Sequence, residues 1–238
     1  MNILAFDTCF DSCSVAAGRG LRSLTPVIAN AFELMAGGQA ERLIPMIETV
    51  MRDARLQFRD LDRFVVTAGP GTFTGSRIGV SAARAIVLGA GVPAVQLSSL
   101  ELMACNPAIP ASKNPAYAVA TDARRGEVYQ QIFSRQTLRP LCSPAALSYR
   151  DAAEALGNSP MIIAGSGSDA VASAARALGI EHHPMLPNLL PDALDILFAS
   201  VTYPLTAEVV PVYLRAPDAK PPAPVLQIAQ PQLMAGQP

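Results

Sequence analysis

Charge, histidine and cysteine are scarce in this chain and tryptophan is absent: charged residues are 16% of 238 positions, beside four cysteines, two histidines and 5% aromatics. Low charge with 50% apolar residues excludes a disordered polypeptide, which has little to bury and much charge to keep apart. Eighteen Lys and Arg against 19 Asp and Glu leave a formal charge of -1, so no basic excess exists to grip nucleic acid through many phosphates. If RNA is the substrate, most of the grip comes from elsewhere. Cys9, Cys13, Cys105 and Cys142 form no Cys-x-x-Cys pair and have no histidine near them in sequence, which argues against a disulfide frame or a zinc site and leaves reduced, buried thiols as the expectation. His182 and His183 are adjacent, so they cannot share a helical face as an i, i+4 metal pair does, and no metal site is expected. Asp7 interrupts the early apolar segment Ile3 to Phe6, and the longest apolar stretch, Ala82 to Val95, carries Arg84 and Pro93; neither a secretion signal nor a membrane span is expected, and the location expected is cytoplasmic.

What is present is enough to bury a large core in one domain or two modest lobes. Asn2 to Thr8 is an apolar run ending in Asp-Thr, a polar turn at Asp11-Ser12 follows, and Cys13 to Ala17 resumes the pattern; with a third strand expected within Ser23 to Phe32, this is a small antiparallel meander. Gln39 to Arg55 has helical period, and its apolar positions fill an arc of about 160°, wider than the roughly 100° stripe a surface helix needs. Either part of that face is meant for a partner or the helix is sandwiched in its own domain; Pro45 is expected to kink or locally break it. Arg63 to Ala68 reads as a strand running into Gly69-Pro70-Gly71-Thr72-Phe73-Thr74-Gly75, with Thr72 or Thr74 capping a helix from Ser76 to Gly89. On that helix Gly75, Gly79 and Ala83 recur every four residues, a strip where another backbone can approach closely. Ala94 to Leu97 is the next strand, so this layer is α/β with a right-handed crossover.

Pro107, Pro110 and Pro115 mark a hinge. Beyond it, Ala116 to Thr121 and Glu127 to Ser134 read as strands joined through a turn whose Gly126 suits a positive φ, Pro160 to Ala164 as a strand, and Asp169 to Leu178 and Asp192 to Val201 as helices. The expected division is a first lobe over 1–105, a smaller α/β lobe over 106–215 and a proline-rich tail over 216–238, expected to be disordered. No internal repeat at a fixed period is visible.

Strand, glycine-rich turn and helix N-terminus at Gly69 to Gly75 is the arrangement that presents free N–H groups to an anion. Its spacing fails both familiar templates: Thr74 stands where a dinucleotide fingerprint wants its third glycine, and Ser76 where a P-loop wants lysine. A glycine turn needed for tight strand-to-helix packing explains it at least as well. Asp7-Thr8 at the end of the first strand resembles the first phosphate loop of the actin, sugar kinase and Hsp70 superfamily, where an acidic residue holds Mg²⁺ through water. Asp7, Thr8, Gly69, Gly71, Thr72 and Gly75 are therefore the candidate phosphate-loop-like residues, expected to be vestigial. No carboxylate pair stacks against a histidine on a helix, and Cys9 or Cys13 as an acyl carrier has no base nearby in sequence, so no catalytic residue is assigned.

Taken in order, Ile3-Leu4-Ala5-Phe6-Asp7-Thr8 with Cys13 to Ala16, Glu41 to Ile47, Gly69 to Gly79, Ser98-Ser99-Leu100-Glu101, Asp122 to Tyr129 and Pro211-Val212-Tyr213-Leu214-Arg215 resemble the bacterial TsaB (YeaZ) family. The resemblance implies an α/β, actin-like ATPase (ASKHA, ribonuclease H-like) fold with two similar lobes. It implies a non-catalytic partner of the related catalytic subunit TsaD, working with the ATPase TsaE in threonylcarbamoyl transfer to adenosine 37 of tRNA. The catalytic paralogue carries a His-x-x-x-His metal site; Gln39 to Leu43 here has none, and Gln39 stands where many family members place a histidine. ATP and Mg, Zn or Fe are thus expected on the partner subunits and no cofactor on this one, with tRNA met only through the complex. The family pairs N-terminal lobes through a bundle of first and second helices, which points to Leu43, Ile44, Ile47, Met51, Gly79, Ala83 and Val87 as the TsaD contact, or as a homodimer contact when the chain is alone. The alternatives are an independent nucleotide-dependent kinase or ATPase on the same fold, and a metallopeptidase, which the lack of paired histidines disfavours.

Overall fold

The computed structural model describes residues 1–215, and the expectation for the proline-rich tail lies outside them. Among the described residues, ten strands form two five-stranded sheets. In the first, β1 (Ile3–Asp7), β2 (Ser12–Arg19) and β3 (Val27–Leu34) make an antiparallel meander, and β4 (Arg63–Thr67) and β5 (Ala94–Leu97) join parallel to β1, giving the order β3-β2-β1-β4-β5. Helices α1 (Gln39–Asp53) and α2 (Phe73–Ala90) are the two crossovers. The second sheet repeats this plan: β6 (Ala116–Asp122), β7 (Glu127–Ser134) and β8 (Ala145–Ser148) form the meander, and β9 (Ile162–Ala164) and β10 (His183–Met185) add parallel strands after α4 (Tyr149–Ala155) and α5 (Ser168–Ala177). Two copies of one mixed sheet facing a common cleft constitute the actin-like ATPase architecture. The duplication has no periodic trace in the sequence because it survives as strand order and as a few turn residues, not as side chains.

The central strands are apolar throughout because both faces are covered. Leu4, Phe6, Val15, Phe64 and Val66 face α1 and α2, while Ile3, Ala5, Ala16, Val65 and Val95 face the opposite layer. That opposite layer contains α3 (Ser99–Ala104), held by a capping box in which Ser98 and Glu101 satisfy each other's backbone N–H. Leu102 of α3 packs on the first sheet, and Leu100 and Met103 pack on the second, so one six-residue helix serves both cores.

Three expectations are corrected here. Pro45 does not break α1, which runs from 39 to 53: it lies on the exposed side, where a carbonyl freed from its helical bond can be hydrated. The expected helix at Asp192 to Val201 is split into α6 (Ala193–Ile196) and a 3-10 turn at Ala199–Thr202. The stretch from 193 to 212 also belongs with the first lobe and not with a lobe of 106–215: Ala193, Ile196 and Tyr203 fill its second layer, Val209 enters its first, and Thr206 bridges to Ala94. Chain order failed as a guide because the polypeptide crosses back after finishing the second sheet.

Candidate functional site

Asp7 closes β1 with its carboxyl wholly buried. The Cys9 N–H donates to Oδ1 at 3.1 Å, and the hydroxyl of Thr67, at the end of neighbouring β4, donates to Oδ2. Burial raises the Asp7 carboxyl to about 6, although the bonds from Thr67 and Cys9 pull it down. Thr8 donates from its hydroxyl to the Gly75 carbonyl at 2.7 Å, the Thr72 N–H donates to the Cys9 carbonyl at 2.7 Å, and the Thr72 hydroxyl caps α2 by accepting from the Gly75 N–H at 3.1 Å. A Cβ on Gly71 would collide with the Cys9 carbonyl, and one on Gly75 with that of Thr8. Gly69, at φ +107°, faces the backbone of Val212.

All six phosphate-loop-like residues thus converge, but on one another. The glycines let the turn after β4 lie on the turn after β1, and the N–H groups of Thr72 and Gly75 are taken by the chain itself. Asp7 itself is wholly buried, with each of its oxygens accepting a hydrogen bond from the chain, and among the described residues no three of His, Cys, Asp and Glu gather as a metal set. Burial and the neighbouring Asp7 carboxyl push the Cys9 thiol far up, away from the thiolate form. Cys13 is likewise buried and pushed up to about 12, whereas Cys142 is exposed, against the expectation of buried thiols. Gln39 has a structural role in place of a histidine: its buried amide donates to the Phe10 and Met35 carbonyls, both at 3.2 Å, tying α1 to the ends of the meander. His182 accepts the Met161 N–H at 3.2 Å between β9 and β10.

Between the lobes lies a cleft of about 1540 Å³, bordered by the turns after β1, β4, β6 and β9 and by Val212 to Arg215. At its rim Phe73, the first residue of α2, stacks on Tyr213 with centroids 5.6 Å apart, and the Arg77 guanidinium sits 3.7 Å over the Phe73 ring while Nε donates to the Tyr213 hydroxyl at 2.8 Å.

The expected partner contact divides in two. Leu43, Ile47, Met51 and Ala83 are buried in the first lobe's own core, and Gly79 lies against Thr8 and β4, so these five do not face a partner. Only Ile44, 49% exposed, and Val87, 40% exposed, reach the surface. The wide arc of α1 is explained by its packing on β2, β3 and α2 at once, and the strip Gly75, Gly79, Ala83 brings α2 close to its own sheet. The sequence reading missed Phe73, 54% exposed, and Leu88, 90% exposed. The signal was available: at 100° per residue Phe73, Arg77, Ser81 and Leu88 fall within about 80° of each other, opposite the small-residue strip. Between α1 and α2 this face carries a groove of about 520 Å³ over Ala40, Ile44, Phe73, Arg77 and Ile78.

A family model described as TsaD, tRNA N6-adenosine threonylcarbamoyltransferase, matches residues 33–187. The tRNA threonylcarbamoyladenosine biosynthesis protein TsaB of Escherichia coli is 35% identical over 137 residues, 57% of this chain and 56% of that protein. An uncharacterised protein of Mycobacterium tuberculosis is 33% identical over 221 residues, 92% of this chain and 94% of its own. The crystal structure of YeaZ from Pseudomonas aeruginosa superposes with a TM-score of 0.73 at 25% identity, covering 90% of this chain and 99% of that one. The chain belongs to the TsaB (YeaZ) family. The match to E. coli TsaB thus spans a little over half of that protein, whereas the match to YeaZ takes in both lobes. Among the described residues of this TsaB-family chain, no helix is long and apolar enough to cross a membrane.

Proposed function

We propose that this chain is a non-catalytic subunit in tRNA threonylcarbamoyladenosine synthesis, binding the TsaD paralogue through the outer face of α1 and α2 and, with TsaE, enabling threonylcarbamoyl transfer to adenosine 37. The observation that carries the reading is four large apolar side chains, Ile44, Phe73, Val87 and Leu88, exposed together on one helix pair beside a groove. Their neighbour Arg77, stacked on Phe73, adds the aromatic and arginine character of an interface centre. The sealed Asp7 and the self-satisfied glycine turn agree with a subunit that leaves the chemistry to its partner. In the absence of TsaD the same face closes a homodimer.

The test is titration of TsaD with the wild-type chain and with Ile44→Asp/Leu88→Asp, together with threonylcarbamoyl transfer to unmodified tRNA by TsaD and TsaE. Loss of both binding and transfer in the double variant, with an unchanged melting temperature, is expected. Undiminished binding would move the contact off this face, and ATP turnover by this chain alone would replace the reading with that of an independent nucleotide enzyme.

A further inference from the structure

Two sequence blocks of the resemblance, Asp122 to Tyr129 and Pro211 to Arg215, lie far apart in the chain, yet the fold brings them together. After the 3-10 turn the chain crosses the first lobe as an irregular segment. Thr206 N–H donates to the Ala94 carbonyl at 2.8 Å, Val210 N–H to Gln96 Oε1 at 2.8 Å, and Val212 N–H to the Ala68 carbonyl at 2.7 Å. Arg84 of α2 donates to the Val209 carbonyl at 2.8 Å. Tyr213 then lies on Phe73 and accepts from Arg77. Two residues later Arg215 has reached the other lobe: Nη1 donates to the Ala123 carbonyl at 2.6 Å, Nη2 to the Arg124 carbonyl at 3.2 Å, and the guanidinium pairs with Glu127.

The turn that receives Arg215 is unusual. Arg124, Arg125 and Gly126 take φ of 62°, 57° and 76°, a left-handed run in which two of three residues lack glycine's freedom. A backbone held this way is stabilised by what it binds, and here two of its carbonyls meet one planar fork of donors.

We propose that residues 203–215 form a strap that latches the lobes across the cleft, with Arg215 as its catch. Because only Leu214 separates Tyr213 from Arg215, releasing the catch also loosens the contact that braces the start of α2. Closure of the cleft and order at the Phe73 and Arg77 end of the helix face are therefore one coupled state. By linkage, a partner that binds the ordered face favours the closed cleft, and the reverse holds by the same factor. The latch is a property of the free chain; only its effect on a partner rests on the function proposed above.

Hydrogen exchange on the free, full-length chain tests the latch. In Arg215→Ala, amides of the 123–127 turn and of residues 75–80 should both exchange faster by about tenfold or more, while β1 and β4 stay as in the wild type. Tyr213→Phe keeps the stacked ring but removes the acceptor for Arg77, so it should accelerate residues 75–80 alone. Acceleration confined to 123–127 in Arg215→Ala, or none at all, overturns the coupling. Should Arg215→Ala lower the melting temperature so far that exchange becomes global, Arg215→Lys retains the pairing with Glu127 without the fork and is expected to give the same two-site pattern at smaller amplitude; exchange at 75–80 equal to wild type there overturns it as well. Titration with TsaD then separates the two readings. If Ile44→Asp/Leu88→Asp abolishes binding while Arg215→Ala leaves it unaltered, the latch does not act on the face; if the wild-type chain does not bind TsaD at all, the partner reading fails while the exchange result still decides the latch.

Discussion

The two lobes share one strand order but use their crossover helices differently. On α1 and α2 four large apolar side chains are exposed; on α4 and α5, in the equivalent places, none is among the described residues. The plan common to both sheets makes the same demand for an apolar inner face, so the surplus on the first pair is not a requirement of the fold. A feature present in only one copy of a duplicated architecture points to what that copy binds. The strand-to-helix turns teach the converse. A Cβ on Gly71 or Gly75 would strike the turn after β1, and one on Gly165 the Ala120 carbonyl of β6. Glycine recurs at this place in both lobes because the backbones touch, which is why a glycine-rich segment here is a poor sign of a phosphate site.

The sharpest break of the inner-versus-outer contrast on α2 is Ala83→Glu, which puts a carboxylate into the first lobe's core and is expected to cost about 4 kcal/mol or more, read as loss of a cooperative thermal transition. Leu88→Asp, on the same helix but outward, should shift stability by about 0.5 kcal/mol or less. Equal melting of the two variants would mean the helix is turned the other way.

Asp7 gives the next largest effect. Its folded carboxyl lies near 6 against 3.8 when free, so the native state binds the proton more tightly. Stability from this group is complete below the lower value, falls as pH rises through the window between the two, and stays reduced above about 6, by about 3 kcal/mol at most. Urea denaturation at several pH values should show that fall in the wild type and a flatter profile in Asp7→Asn. A wild type that gains stability across the window would contradict the buried, cation-free setting of this carboxylate. A smaller effect than that of Asp7, and of opposite sign, is expected from Gly89→Ala, where a Cβ meets nothing: about 0.5 to 1 kcal/mol of stabilisation in the same assay, from a helix position with no close neighbour.

Long apolar runs made β1, β2, β4 and β6 legible in the sequence, helical period did the same for α1 and α2, and the cap at Thr72 was readable from its residue type. Short elements were not: α3 and α4 have six and seven residues, β8 four and β10 three, and no residue of β8 is fully buried, so none carries a run or a period long enough to stand out. The convergence of Asp7, Thr8 and the glycine turn was visible as two separate strand-end motifs, but that they seal each other depends on β1 and β4 being parallel neighbours, which no local pattern encodes. Most of the residues expected to meet a partner on α1 and α2 lie on the inner sides of those helices. Apolar width alone cannot distinguish a helix with a partner from one that packs on a sheet and a second helix together.

The return of residues 193–212 to the first lobe also sets the order in which a growing chain can finish itself. Every strand of the second sheet lies between 116 and 185, so that sheet has all its strands synthesised before α6 and Val209 exist. The lobe begun first is therefore completed second, with the face of β1 and β2 that α6 covers left open throughout. During synthesis this protein carries an unfinished apolar surface at its beginning until almost its last described residues emerge, and a factor that shields nascent chains would find its substrate there.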